Sequence, residues 1–324
     1  MEVKGDTMKK DFIDVTDLTK EEIEDMMKLA LDLKKDPGKY SDKLKQKTLM
    51  MIFEKPSLRT RLSFETGMTQ LGGHAIYYDL STSPMGKKES VSDTAKTASR
   101  FVDIIMARVN SHEQIQELAK KSAIPVINAL TNYSHPCQII SDLLTIYEKK
   151  SVADSNKGVL KGLKLAYLGD SNNNVTHSLL QGCSIMGMNI AVASPEGKEY
   201  EPNQSVVQES REIAKKSGSN IFITNDPVLA VKDADVVYTD SWMSYHIPES
   251  QKEDRIKMFM PYQVNKELMK HAKKDAIFMN CLPALREMEQ TAEVIDGKQS
   301  VVFDQAENRL HMQKALMLKL LKVA

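Results

Sequence analysis

Short apolar runs alternate with longer amphipathic stretches from one end of the chain to the other. In the first half, apolar runs at 48–53, 75–78, 102–107 and 125–128 predict buried strands. Between and after them, 16–36, 62–71, 91–100, 113–122 and 138–149 carry apolar residues at helical spacing. Thr16 is the expected N-cap of the first helix, Pro37-Gly38 stops it, and Gly72-Gly73 ends the second. Residues 81–90, STSPMGKKES, form a polar loop. A polar, glycine-containing stretch, 150–162, then interrupts the pattern and is the best candidate for an interdomain link. The alternation restarts after it. Strands are predicted at 164–168, 189–193, 221–223, 234–238, 276–279 and 300–303. Helices are predicted at 174–187, 203–217, 227–232, 252–260 and 265–273, with a long amphipathic helix to finish at 304–323.

Strands alternating with helices in both halves predict an α/β chain of two doubly wound parallel-sheet domains joined by interdomain helices. The first domain is 1–149 and the second 150–303, followed by the final helix, 304–324. In such sheets, ligands sit beyond the carboxyl ends of strands.

Composition narrows the partners. The 324 residues are 41% hydrophobic, enough for two domains, and Lys+Arg (44) equals Asp+Glu (44), so neither nucleic acid nor an anionic membrane is called for. No apolar run reaches the roughly 20 residues of a membrane span. The polar N-terminal stretch lacks the apolar core of a signal peptide. Cys137, Cys183 and Cys281 are odd in number and far apart, which fits a reducing cytoplasm.

The predicted strand ends carry the chemistry. After the 48–53 run comes Pro56-Ser57-Leu58-Arg59-Thr60-Arg61, a strand-to-helix turn. Outward-facing amides at a helix start, two hydroxyls and two guanidiniums suit a phosphate. A capped helix start with two surface arginines is the other reading of the turn taken alone. Arg108 and His135 lie at two further strand ends, and Gln138 follows on the next helix. Converging arginines and a histidine there suit a small dianion. The second half offers different groups: Asn173 and Asn174 after one strand, Asp240 and Ser244 after another, Cys281 and Leu282 after a third. Asp240 can accept from an ammonium, and the asparagines can hold an amino-acid carboxylate or amine. Cys281 as buried packing is the commoner fate of such a thiol. No Ser–His–Asp order, Walker A, GxGxxG or metal-ligand spacing is visible. These residues predict a phosphate-bearing substrate on one domain and a cationic or zwitterionic one on the other, meeting in the cleft.

Five motifs in order resemble one family. Ser57-Leu58-Arg59-Thr60-Arg61 resembles the SxRTR motif of the aspartate/ornithine carbamoyltransferases, and His135-Pro136-Cys137-Gln138 their HPxQ. Gly169-Asp170-Ser171-Asn172-Asn173-Asn174 is similar to the GDxxNN turn of the ornithine branch. Asn280-Cys281-Leu282-Pro283-Ala284 is similar to HCLPA, and 303–309 to FDQAENR. Each motif is weak alone, but the ordered set is specific and spans nearly the whole chain. The resemblance implies attack of an amine on carbamoyl phosphate, with no cofactor or metal. It implies Ser57, Arg59, Thr60 and Arg61 around the phosphate, and Arg108, His135, Gln138 and Arg309 around the carbamoyl group, with the final helix, 304–324, packing back on the first domain to bring Arg309 there. Asn174, Asp240 and Ser244 would hold the amino acid, with Cys281 and Leu282 beside the attacking amine. It also implies a homotrimer with sites at subunit interfaces.

Three departures stand out. Ser244-Tyr245-His246 replaces the ornithine branch's SMG, Asn280 replaces the histidine of HCLP, and Pro84 stands where a neighbouring subunit usually offers a glutamine. Lys87 and Lys88 could reach a phosphate instead, as a lysine does in the aspartate branch. Ornithine is the favoured acceptor. Putrescine is the rival, because its enzymes also lack SMG. They carry an additional C-terminal helix, and this chain ends at Ala324. A family-related protein without transferase activity is the third reading.

Overall fold

The computed structural model describes residues 10–82, 85, 88–150, 160–243 and 247–323. The chain divides into two compact units. One runs up to Cys137 and takes in the chain from Arg309 onward; the other is Gln138–Asn308.

The first unit is built on four parallel strands: β1 (Thr48–Phe53), β2 (His74–Asp79), β3 (Ile104–Arg108) and β4 (Val126–Leu130), in the order β2-β1-β3-β4. β3 and β4 are buried at every position, as strands covered on both faces must be, whereas β2 at the sheet edge stays partly exposed. The second unit has five parallel strands: β5 (Lys164–Leu168), β6 (Asn189–Ala193), β7 (Ile221–Thr224), β8 (Val236–Thr239) and β9 (Ile277–Met279), in the order β7-β6-β5-β8-β9.

Both orders reverse direction once. In the first sheet the chain winds outward from β1 to β2, then returns to β3 on the other side of β1. In the second it winds from β5 to β6 and β7, then returns to β8. The crevices between β1 and β3 and between β5 and β8 are therefore the topological switch points, where an open parallel sheet leaves room for a ligand.

Several boundaries differ from expectation for local reasons. The first long helix is Lys20–Lys35, capped by Thr19 rather than Thr16. Thr19 and Glu22 form a reciprocal capping box, and a short 3-10 turn at Val15–Asp17 precedes them. The helix expected from 62 starts earlier, as Leu58–Gln70, so Arg59, Thr60 and Arg61 lie in its first turn. The strand expected at 300–303 is absent. Ser300 makes an isolated bridge to Phe278, and the final helix begins at once, as Val302–Leu320. A short apolar run reads equally well as the opening of a buried helix.

The helices Pro136–Lys150 and Val302–Leu320 each run from one unit into the other. From sequence the divisions fall at 149/150 and 303/304. By packing they fall inside these helices, because Asp142, Thr145 and Asn308 bury their polar groups against second-unit partners. Tyr238 Oη donates to Asp142 Oδ2 at 3.0 Å, and Asn308 Nδ2 to Thr145 Oγ1 at 3.0 Å.

Candidate active site

The first unit gathers cationic and donor groups at its switch point. Ser57 caps the Leu58–Gln70 helix: its Oγ accepts from the Thr60 amide at 3.3 Å and donates to Thr60 Oγ1 at 3.1 Å. Thr60 Oγ1 also accepts from Arg309 Nη2 at 3.3 Å. Arg309 is buried beside the helix start, and Arg59, half-buried, stands on the same first turn as Thr60. Arg61 points elsewhere. Its Nε pairs with Glu65 at 3.0 Å and its guanidinium lies 4.2 Å from the Tyr77 ring centroid.

Arg108 ends β3 in register with Phe53 at the end of β1 and is buried. That register sets Arg108 across the crevice from the Ser57 turn. His135 is buried too. Burial first, then the positive charges of Arg309 and Arg108, holds its pKa well below the ordinary 6.5, so its imidazole is neutral near pH 7. Those two causes place both guanidiniums within electrostatic reach of the ring.

Residues not singled out from the sequence support this pocket. Lys55 follows β1 and donates to Asn132 Oδ1 at 2.8 Å; burial and then the Arg108 charge depress its pKa. The turn that presents His135 is pinned from below. Thr131 Oγ1 accepts from the Ser134 amide at 3.1 Å and lies 3.1 Å from His112 Nδ1, while His112 Nε2 is 3.2 Å from Asp14. Asn128 Nδ2 donates to Ser134 Oγ at 2.9 Å and to the Ile13 carbonyl at 2.8 Å. Asp14, His112, Thr131 and Asn128 are scattered in sequence, and no local pattern links them.

The second unit gathers carboxylates and amides at its own switch point. Asp170 follows β5 and Asp240 follows β8. Gly169 turns at φ +118°, and a Cβ there would lie 2.9 Å from Trp242 Nε1, so both the conformation and the space demand glycine. Burial raises the Asp170 pKa to about 6, against the pull of its ion pair with the buried Arg255. Arg255 Nε also donates to the Trp242 carbonyl at 2.8 Å, and Glu289 accepts from the Trp242 amide at 3.3 Å. The peptide two residues beyond Asp240 is thus held from both sides by opposite charges.

Burial also raises Asp240 above the usual carboxylate range, opposed by the Ser241 amide and by the Cys281 thiol, which donates to it at 3.2 Å. A cationic ligand would reverse that penalty by favouring the carboxylate form. Asn173 is the N-cap of the Asn174–Met186 helix. Its Oδ1 accepts from the Thr176 amide at 2.8 Å and its Nδ2 donates to Tyr167 Oη at 2.9 Å. Asn174 stands in the first turn, partly exposed. Gln138 is buried and donates to Asp142 Oδ1 at 2.8 Å. Leu282 has φ +57°, a left-handed conformation that costs a non-glycine residue about 1–2 kcal/mol.

Cations and donors in the first unit suit a phosphate ester. The partly buried Asp240 carboxylate with amides in the second suits an ammonium. Ser244, Tyr245, His246, Pro84 and Lys87 lie outside the described residues, and Lys88 is exposed. Among the described residues, no group of three or more His, Cys, Asp or Glu side chains could hold a metal ion.

Comparison with known proteins gives one answer for both units. Residues 10–148 match the model for the aspartate/ornithine carbamoyltransferase carbamoyl-P binding domain, and 161–320 that for the Asp/Orn binding domain. The chain is 51% identical over 314 residues to an ornithine carbamoyltransferase of Anoxybacillus flavithermus, covering 96% of each. It is 50% identical over 315 residues to one of Picrophilus torridus, covering 97% of this chain and all of the other. Among solved structures, the ornithine transcarbamoylase of Giardia lamblia superimposes with a TM-score of 0.89 at 44% identity, covering 97% of this chain and 99% of that one. The ornithine carbamoyltransferase of Pyrococcus furiosus gives 0.89 at 48% identity, covering 95% and 96%. This chain belongs to the aspartate/ornithine carbamoyltransferase family.

Proposed function

We propose that the protein is an ornithine carbamoyltransferase, transferring the carbamoyl group of carbamoyl phosphate to the side-chain amine of L-ornithine and releasing L-citrulline and phosphate. One observation carries this reading. Each sheet keeps its reactive side chains at its own switch point, cations at the first and the Asp240 carboxylate at the second.

In this reading Ser57, Arg59, Thr60 and Arg108 hold the phosphate, helped by the amides at the start of the Leu58–Gln70 helix. Arg61, committed to Glu65 and Tyr77, orients the helix start from outside. His135, Arg309 and Thr60 direct donors at the carbamoyl oxygen, and Gln138 orients the group. A neutral imidazole suits this role, since it offers an N–H without adding a further charge to a pocket that already holds the Arg59, Arg108 and Arg309 guanidiniums. Asp240, Asn174 and Ser244 bind the acceptor's amino-acid end, and Cys281 and Leu282 flank its amine. The neutral amine attacks the carbonyl carbon and a C–N bond forms. The oxyanion of the tetrahedral intermediate is held by the donors above. The C–O bond to phosphate then breaks, and phosphate departs with the amine proton. Positioning and charge stabilisation account for the rate.

The same reading extends to assembly and location. Leu58 and Leu62, one helical turn apart, are 68% and 55% exposed, as an interface would need them, which supports a homotrimer with sites at subunit interfaces. No described helix is long and apolar enough to cross a membrane. Cys137 and Cys183 are buried as thiols, with pKa values raised to about 12 by burial, which fits the cytoplasmic setting of this reading.

A citrulline-type colorimetric assay tests the proposal. Purified protein and carbamoyl phosphate are offered ornithine, putrescine, N-acetylornithine, lysine and aspartate separately. Ornithine is the expected acceptor. Turnover of putrescine with none of ornithine overturns the acceptor assignment. No turnover and no phosphate release with any amine makes the protein a relative without transferase activity.

A further inference from the structure

The turn after β9 is organised by an amide pair that the mechanism above does not use. Asn280, which stands where the family resemblance has histidine, is fully buried, and so is Gln290. Asn280 Oδ1 accepts from the Leu282 amide at 2.7 Å, closing a side-chain turn over Cys281. Asn280 Nδ2 donates to Gln290 Oε1 at 3.1 Å, and Gln290 Nε2 donates to the Leu285 carbonyl at 3.0 Å. The Asn280 amide N–H donates to Gln305 Oε1 at 3.0 Å. Gln305 Nε2 in turn reaches Asp142 Oδ1 at 2.8 Å and Tyr238 Oη at 3.0 Å.

These bonds leave one sense for each carboxamide. The Leu285 carbonyl demands the Gln290 NH2 group, so Gln290 Oε1 faces Asn280 and demands its NH2 group. Asn280 Oδ1 then faces the Leu282 N–H. Rotating either amide by half a turn sets donor against donor and acceptor against acceptor between two fully buried side chains. Leu282 is the residue held in the left-handed region, a conformation that persists where surrounding bonds over-determine it.

We propose that Asn280 is a positioning residue for the acceptor side of the site, fixing the Cys281–Leu282 backbone, and that Gln290 sets the orientation in which Asn280 can do so. The inference rests on the carbamoyltransferase reading and deepens it. Cys281 already donates to Asp240, so the same turn settles how thiol and carboxylate meet. An aspartate at 280 keeps the acceptor for Leu282 but faces Gln290 Oε1 with oxygen. A serine keeps the acceptor alone, through a shorter side-chain turn.

The experiment compares Asn280→Ala, Asn280→Ser, Gln290→Leu and the Asn280→Ala/Gln290→Leu double variant of the full chain by steady-state kinetics, with circular dichroism to check folding. For Asn280→Ala we expect kcat/KM for ornithine to fall about 10- to 100-fold, the scale of one or two lost buried hydrogen bonds. KM for carbamoyl phosphate and inhibition by inorganic phosphate should stay near wild type. Gln290→Leu should show a smaller loss of the same kind, the double variant should be no worse than Asn280→Ala, and Asn280→Ser should recover part of the activity. Should Asn280→Ala fail to fold, Gln290→Leu and Asn280→Ser carry the same split between substrates. Unchanged ornithine kinetics, equal losses toward both substrates, or additive effects in the double variant overturn the proposal. Wild-type protein that turns over no ornithine overturns the functional reading instead, before any variant is compared.

Discussion

Arg309 donates a hydrogen bond to Thr60 Oγ1 at 3.3 Å across 249 residues of sequence. Thr60 lies in the first turn of the helix capped by Ser57, so the contact ties the final helix to that helix start. Arg309 is buried there, and its charge helps keep His135 neutral. A single guanidinium thus touches the hydroxyl, the helix start and the imidazole chemistry of the first unit.

Arg309→Lys tests that arrangement. Lysine keeps the charge but loses the planar fork, so it can serve Thr60 or a substrate oxygen but not both. We expect kcat/KM for carbamoyl phosphate to fall roughly 100-fold or more, the usual scale for losing one preorganised oxyanion donor. Far-ultraviolet circular dichroism should be unchanged. Initial rates at varied carbamoyl phosphate and saturating ornithine check it, and near-normal saturation refutes the assignment.

On the acceptor side, Asp240→Asn removes the carboxylate while keeping its shape. A charge-assisted hydrogen bond contributes about 1.5–3 kcal/mol, so KM for ornithine should rise roughly 10- to 150-fold. Binding of carbamoyl phosphate, measured by calorimetry on the variant, should match wild type. Equal weakening of both ligands would show that Asp240 does not belong to an acceptor site.

His135 makes the free protein sensitive to acid. Its folded pKa lies well below the ordinary 6.5, so between the two values the unfolded chain binds more protons than the folded one. Its contribution to stability is complete above about pH 6.5 and is lost as pH falls toward the folded value. Urea unfolding at about pH 5 and pH 7.5 should show this loss in wild type, and His135→Asn should reduce the difference between the two. An identical difference in wild type and variant excludes His135 as a source of the slope.

The Arg255–Asp170 pair is buried on both sides, and removing one partner strands the other. Arg255→Met should destabilise the protein by about 3–5 kcal/mol, read as a lower denaturation midpoint. It also releases the Trp242 carbonyl, so ornithine affinity should fall even where the fold survives. A Met variant as stable as wild type would mean that water reaches Asp170 freely.

Much of this molecule was legible in the sequence. The apolar periodicity gave all nine strands within a residue or two, because a parallel strand buried on both faces must be apolar along its length. The one false strand, 300–303, failed because a short apolar run has no period of its own. Val302 and the residues after it belong to a helix whose opening bond, from the Gln305 amide to the Val301 carbonyl, cannot be foreseen locally. The strand-to-helix turn at Ser57, Arg59 and Thr60 was readable because a capped helix start after a strand has local sequence signals and a known electrostatic sense.

The supporting groups were not readable. Asp14, His112 and Thr131 meet under the His135 turn, and Gln290 and Gln305 meet at Asn280, through contacts that no local pattern specifies. Arg61, equal to Arg59 in the motif, is set apart by its pairing with Glu65 and Tyr77. By itself the sequence determined the fold class, the residue types available for chemistry and the family. Tertiary structure decided which residues share a switch point, which side chains are buried enough to have shifted proton affinities, and which amides hold the turn after β9. The physical reason is that periodicity and capping are local properties, whereas burial, strand order and hydrogen-bond partnership exist once distant segments have packed.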